Sequence, residues 1–90
     1  FSLPLLYRGE FIGRMDCKTH RKTRHLEIKL LHLEQHRFQQ LGFEEHLVID
    51  AFVEAIKQFR DFQQCESVSL TQAEPKYLGQ GLGDVLKFLG

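Results

Sequence analysis

The first third of the chain alternates between apolar and polar positions. Residues 3–7, 10–16 and 25–34 each have the two-residue period of a half-buried strand. A tight turn and a polar loop separate them, so the pattern predicts an antiparallel meander of three strands. Within the third segment Leu26, Ile28 and Leu30 are predicted to share one face, and the apolar phase then shifts to Leu31 and Leu33. Such a shift is typical of a β-bulge or of a strand buried on both faces toward its end.

The middle of the chain has a helical period instead. Between residues 42 and 62 the apolar side chains recur every three or four positions, at Val48, Phe52, Ile56 and Phe59. This spacing predicts one long amphipathic helix, with Gly42 as a weak N-cap. Residues 35–40 are polar, and we expect them to form an irregular connection.

The last segments are short. Residues 67–71 predict a fourth strand, which Pro75 ends, and residues 84–89 predict a short helix reached through a flexible, glycine-rich approach. The predicted fold class is therefore α+β. We expect a small, mostly antiparallel or mixed sheet of about four strands, packed by one long helix, with a short C-terminal helix.

Three residues add local constraints on the sheet. Pro4 cannot donate a ladder hydrogen bond, so we expect the first strand to lie at an edge or to pair only beyond Pro4. Gly9 ends a tight connection that needs a positive φ. Gly13 has no side chain to pack, so we expect a close approach to its backbone, without a prediction of what approaches it.

Length and composition limit the class of protein. Ninety residues with 42% hydrophobic side chains fit one domain, residues 1–90, with a narrow stability margin. The chain starts at Phe1 inside an apolar segment, so we expect a piece of a longer protein or a processed one. No apolar stretch approaches the roughly 20 residues that span a bilayer, and two cysteines are too few for a disulfide framework. We therefore expect a reduced, cytoplasmic compartment and no membrane partner.

The formal net charge is zero, but the charges are unevenly distributed. Residues 1–32 have a net charge of +4 and residues 33–90 a net charge of −4. The densest group, which we call the basic cluster, consists of Arg14, Lys18, Arg21, Lys22 and Arg24. These residues lie in or beside a predicted loop, residues 17–24. Such a cluster can neutralise several phosphates of a nucleic acid, although on composition alone a solvated hairpin is the simpler interpretation.

Other candidate chemistry is weaker. His32 and His36 are four residues apart, but the pattern places His32 in a strand and no second ligand pair follows, so we predict no metal site. Cys17 and Cys65 are predicted to be ordinary thiols. Glu44 and Glu45 are adjacent in the first turn of the predicted helix, and adjacent helical side chains point apart. We therefore predict no catalytic carboxylate pair. We also predict no cofactor.

Residues 3–34 resemble a known family. The matching features are PLL at residues 4–6, the turn Arg8-Gly9, the run GRMDCKTHR at residues 13–21 and the strand near Leu26. They resemble the pattern G-R-[ML]-D-x-K-x-x-R and its flanking strands in the C-terminal part of the bacterial winged-helix DNA glycosylases (YcaQ-like). The resemblance covers most of the chain but is specific only over residues 3–34. Cys17 stands where that family usually has Pro.

The resemblance implies a DNA-repair hydrolase that excises alkylated or crosslinked bases without a metal or another cofactor. The family's catalytic signature is Gln-x-Gln in an N-terminal winged-helix region, and no two glutamines of this chain have that spacing. The chain alone is therefore expected to be inactive. Its implied partners are duplex DNA and the catalytic N-terminal domains of the same protein.

The basic cluster then has two alternative roles. In the first, its five residues contact the DNA backbone. In the second, the chain is a structural or protein-interaction module without direct DNA contact, in which Arg14 and Asp16 form internal ion pairs or hydrogen bonds.

Overall fold

The computed structural model describes residues 1–88 and confirms an α+β fold. The sheet consists of β1 (Ser2–Tyr7), β2 (Glu10–His20), β3 (His25–Leu33), β4 (Ser67–Leu70) and β5 (Ala73–Glu74). The helices in this part of the chain are α1 (Gln35–Leu41), α2 (Glu45–Phe62) and α3 (Leu78–Phe88). None of these helices is long and apolar enough to cross a membrane.

The strands lie in the order β1-β2-β3-β4, and β5 also pairs with β3. The β1–β2 and β2–β3 pairs are antiparallel, which confirms the predicted meander, whereas β4 and β5 are parallel to β3. Parallel pairing requires the chain to return to the starting end of β3. The segment that contains α1 and α2 makes this return.

β1 forms one edge of the sheet, as Pro4 predicts. Phe1 and Cys17 exchange both backbone hydrogen bonds, each 2.9 Å long. Because such pairs alternate along an antiparallel ladder, the amide position of Pro4 faces the free edge. Pro4 therefore removes no hydrogen bond between β1 and β2. It also leaves the free edge with one N–H donor fewer, which makes pairing with a strand of another molecule less favourable.

The phase shift in β3 is a β-bulge at Lys29. The register passes from Ile28 to Leu30, so Lys29 has no partner on β2. The extra residue keeps the apolar side chains on one face, and Leu31 is buried as completely as Ile28. The predicted bulge is confirmed, but Leu30 was expected on the face of Leu26 and Ile28 and instead lies on the opposite face, because the extra residue comes before it.

One face of the sheet packs against the helices. The largest fully buried side chains come from β2, β3, α2 and α3: Cys17, Leu26, Ile28, Leu31, Val48, Ile56 and Leu86. Since side chains alternate along a strand, the intervening residues of β2 and β3 lie on the opposite face. We call it the open face, and from these two strands it carries Arg14, Asp16, Lys18, His20, His25, Glu27, Leu30 and His32.

Residues 35–40 form a helix, so the predicted irregular connection is wrong. Only Phe38 of α1 is buried, at 2% exposure, and one apolar residue in a polar segment gives no recognisable period. Gly42 has a φ of 72° and is the C-cap of α1. The N-cap of α2 is Glu44, so the predicted cap at Gly42 is also wrong.

α3 is longer than predicted. It begins at Leu78 and includes the glycines that we expected to form a flexible approach. Leu78, Leu82 and Leu86 recur every four residues and are buried against the core. This burial offsets the poor helix propensity of glycine. Leu89, the last residue of the predicted helix, lies outside the described residues.

Candidate nucleic-acid interface

The basic cluster is divided between a strand and a turn. β2 continues to His20, so the predicted loop at residues 17–24 is wrong in its first half, and the turn consists of residues 21–24. Lys18 and His20 gave the segment a polar composition because they lie on the open face. Because one face of this part of β2 is exposed and polar, its amino-acid sequence resembled that of a loop.

Arg14 and Lys18 project from the open face of the sheet. Met15 and Cys17, which alternate with them, are 2% and 1% exposed and belong to the core. Arg14 and Lys18 are exposed, and Asp16 between them is half-buried. The strand thus presents two cations in a row, with one carboxylate between them.

Arg14 and Asp16 make no ion pair and no side-chain hydrogen bond with residues 1–88. The internal pairing expected for a purely structural role is therefore not found in that range. Lys18, Arg21 and Lys22 have no ion-pair partner in that range either. Their charges are free to meet a ligand.

Arg24 has a partner. Its Nη1 donates to Glu66 Oε1 at 3.0 Å, and the two side chains are 60% and 70% exposed. An exposed ion pair of this kind contributes at most about 1 kcal/mol to stability. Arg24 can therefore exchange this carboxylate for another anion at little cost.

A hydrogen-bonded network that the sequence did not predict lies beside the basic cluster. His25 Nδ1 is 2.6 Å from Ser67 Oγ, and His25 Nε2 is 2.7 Å from Ser69 Oγ. Ser67 is the cross-strand partner of His25 on β4. The detectable signal was Ser-x-Ser in the predicted fourth strand, because alternate residues share a face. The network holds β4 to β3 on the open face.

Glu27 introduces a negative charge into this face. It accepts hydrogen bonds from His20 Nε2 at 2.9 Å and Thr71 Oγ1 at 3.4 Å. The hydrogen bond from His20 is the main reason that the pKa of Glu27 lies below its usual value, and the charge of Lys29 lowers it further. Glu27 is therefore ionised at neutral pH and offsets part of the charge of Lys18, its neighbour on β2.

The histidine pair considered as a metal site is not arranged on one helix. His32 lies on β3, with Nε2 at 3.0 Å from Glu34 and Nδ1 at 3.3 Å from Glu74, and His36 lies on α1. Residues 1–88 contain no group of three or more side chains suited to hold a metal ion.

No protein-family model matches the chain, and no solved structure matches it significantly.

Proposed function

We propose that this chain is the DNA-contacting accessory domain of a bacterial winged-helix DNA glycosylase, a cytoplasmic repair enzyme that excises alkylated or crosslinked bases. The observation that carries the proposal is the β2–β3 hairpin. Four of its exposed basic residues, Arg14, Lys18, Arg21 and Lys22, have no ion-pair partner within residues 1–88. The run that resembles the family, residues 13–21, lies on this same hairpin.

The spacing of these residues suits a DNA backbone. Arg14 and Lys18 are four residues apart on β2, which corresponds to about 13 Å along a strand. The turn residues Arg21 and Lys22 extend the row. A row of cations contacts phosphates and positions the protein on the duplex without reading its sequence.

The chemistry would be divided between domains. No residue of this chain is assigned a catalytic role, because the Gln-x-Gln that the resemblance implies for base excision does not occur in its sequence. The proposed task of this chain is to hold the duplex for the catalytic part. The absence of an Arg14–Asp16 ion pair within residues 1–88 makes us prefer this task to a purely structural role.

A salt titration tests the proposal. Binding of a labelled DNA duplex is measured by fluorescence anisotropy between about 50 and 200 mM salt. Lys18, Arg21 and Lys22 are replaced together by Ala. We expect weaker binding and a slope of log K against log[salt] that falls by about 0.9 for each phosphate that the variant no longer neutralises.

The matched control removes the same charge elsewhere. Lys57, Lys76 and Lys87 lie on or next to α2 and α3, and their joint replacement by Ala should leave the slope unchanged. Equal effects of the two triple variants would show that only net charge matters, and the proposal would then be rejected.

A further inference from the structure

A small polar cleft lies between the β2–β3 turn and the corner that connects α2 to β4. Its volume is about 220 Å³, and its lining residues are Thr19, Arg21, Arg24, Gln63, Gln64 and Cys65. We call it the corner cleft. Arg21 and Arg24 belong to the basic cluster. Thr19 lies on β2, and the other three residues directly follow α2.

The two walls of the corner cleft are fixed to each other. The backbone carbonyl of Arg24 accepts the N–H groups of Glu66 at 2.7 Å and Ser67 at 3.3 Å. The hydroxyl of Thr19 donates to Gln63 Oε1 at 3.2 Å across the cleft. The backbone of both walls and the carboxamide of Gln63 are therefore positioned before a ligand arrives, which lowers the entropic cost of binding.

The lining is rich in hydrogen-bond donors. Because Gln63 Oε1 already accepts from Thr19, the carboxamide presents its two N–H donors to a ligand. Arg21 has no ion-pair partner within residues 1–88, and Arg24 directs one N–H to Glu66. Two guanidinium groups beside amide donors match an anion with several acceptor oxygens, and phosphate has this chemistry.

The C-terminal end of α2 does not cancel the preference of the corner cleft for an anion. A helix C-terminus carries a partial negative charge because its last carbonyls lack partners. Here the last carbonyls are occupied by backbone N–H groups: Phe59 accepts from Gln63, Arg60 from Cys65 and Asp61 from Gln64. The carboxylate of Asp61 is paired with Arg60 at 3.1 Å.

Two residues of the cleft occupy backbone positions that favour glycine. Arg24 and Gln64, one on each wall, have φ values of 54° and 59°. A hairpin turn and a helix end commonly place glycine at such positions, since another residue costs about 1 kcal/mol. Both positions carry long hydrogen-bonding side chains instead, as does Arg8 in the β1–β2 turn, and the corner cleft is where two such positions face each other.

We propose that the corner cleft binds one phosphate group of the DNA backbone through Arg21, Arg24 and the side-chain amides of Gln63 and Gln64. The proposed function supplies only the source of the phosphate, since the same donors fit inorganic phosphate. A phosphate held between two fixed walls would set the position of the hairpin along the duplex.

The test is a titration of the ¹⁵N-labelled chain, followed by the NMR signals of the glutamine side-chain amides and the arginine Nε–H groups. One ligand is a short duplex without terminal phosphates, and the other is inorganic phosphate. We expect the duplex to shift the signals of Gln63, Gln64 and Arg21. The amide signal of Gln40, exposed on α1, should stay in place.

Substitutions at Gln64 test the contact directly. Gln64→Glu keeps the shape but replaces a donor by a negative charge, and we expect about tenfold weaker duplex binding. Gln40→Glu makes the same charge change on α1 and should leave the affinity unchanged. Gln64→Gly removes the side chain and relieves the left-handed backbone, so it should weaken binding without lowering the melting temperature.

The outcomes separate this inference from the proposed function. Shifts with the duplex support a phosphate of the DNA backbone, and shifts with inorganic phosphate alone support the cleft while rejecting its DNA source. If neither ligand moves the Gln63 and Gln64 signals, the inference is overturned. The proposed function would still hold if the triple variant of Lys18, Arg21 and Lys22 bound the duplex more weakly than the wild type.

Discussion

The backbone carbonyl oxygen of His32 lies where a side chain at Gly13 would begin. A Cβ added to Gly13 would be 2.1 Å from this oxygen and 3.1 Å from the Cα of Leu33. Both atoms belong to the backbone of β3, so neither can move without disturbing the ladder between β2 and β3. The predicted close approach to the backbone of Gly13 is confirmed, and the structure identifies β3 as the approaching segment. The first residue of the GRMD run is thus explained by packing.

Gly13→Ala should therefore destabilise the domain. Overpacking against a rigid backbone costs about 1–3 kcal/mol or more, which is a large part of the stability of a domain of this size. The measurement is the urea midpoint of unfolding. Gly81→Ala is the control, because its Cβ would meet nothing within 4 Å inside α3 and should gain up to about 1 kcal/mol. An unchanged midpoint for Gly13→Ala would refute the close approach.

In contrast to Gly13→Ala, Arg14→Ala should leave the stability of the domain almost unchanged and should weaken DNA binding. Arg14 is exposed and makes no ion pair within residues 1–88, so we expect a stability change within about 0.5 kcal/mol. Duplex affinity should fall, with a smaller salt slope. Thermal unfolding and anisotropy on the same variant separate the two roles of this residue. A clear drop in melting temperature with unchanged DNA binding would support the structural role.

The first three strands could be predicted from the sequence because they alternate strongly, whereas the two residues of β5 are too few to show a period. A bulge in β3 was visible as a phase shift, but the sequence placed the shift after Leu30, and the ladder is interrupted at Lys29. α1 could not be predicted in the same way, because a single buried Phe38 supports it. The predicted C-terminal helix was shorter than α3 because glycine has a low helix propensity. The burial of the leucines of α3 offsets this low propensity, and it depends on the tertiary structure.

The candidate site was predictable only in part. Local sequence showed the five basic residues, but not that two of them lie on a strand and three in a turn. The corner cleft was not predictable, because Thr19 and Gln63 are separated by 44 positions and meet through tertiary structure. Pairing of β4 with β3 brings the end of α2 to the hairpin turn.

The ionisation of Glu27 should make the free energy of unfolding depend on pH in the acid range. Its folded-state pKa is lowered from 4.5, chiefly by the hydrogen bond from His20. A lowered pKa contributes stability that is fully present above the unfolded pKa and is lost as the pH falls through the folded pKa. We therefore expect the urea midpoints of the wild type and Glu27→Gln to differ near neutral pH and to approach each other as the pH falls below 4.5. A difference that is independent of pH would contradict this assignment.

The thiol of Cys17 should be unreactive in the folded chain. Cys17 is 1% exposed, and burial raises the pKa of its thiol, so little thiolate is present even at about pH 8. Modification then requires opening of the structure, and a stability of about 3 kcal/mol slows it about a hundredfold. A thiol reagent applied to Cys65→Ser, with and without urea, measures this ratio. Rapid reaction of the folded variant would show that Cys17 is accessible.

Cys17 also stands where the pattern that residues 13–21 resemble usually has Pro, and the backbone of Cys17 explains why Pro does not fit here. The N–H of Cys17 donates to the carbonyl of Phe1 at 2.9 Å, and Pro has no such donor. Cys17→Pro should cost at least about 2 kcal/mol, whereas Cys17→Ala keeps the N–H and should cost less. Urea denaturation of both variants compares these costs. If the two were equally stable, the pairing of Phe1 with Cys17 would contribute nothing, and the family's Pro would be compatible with this sheet.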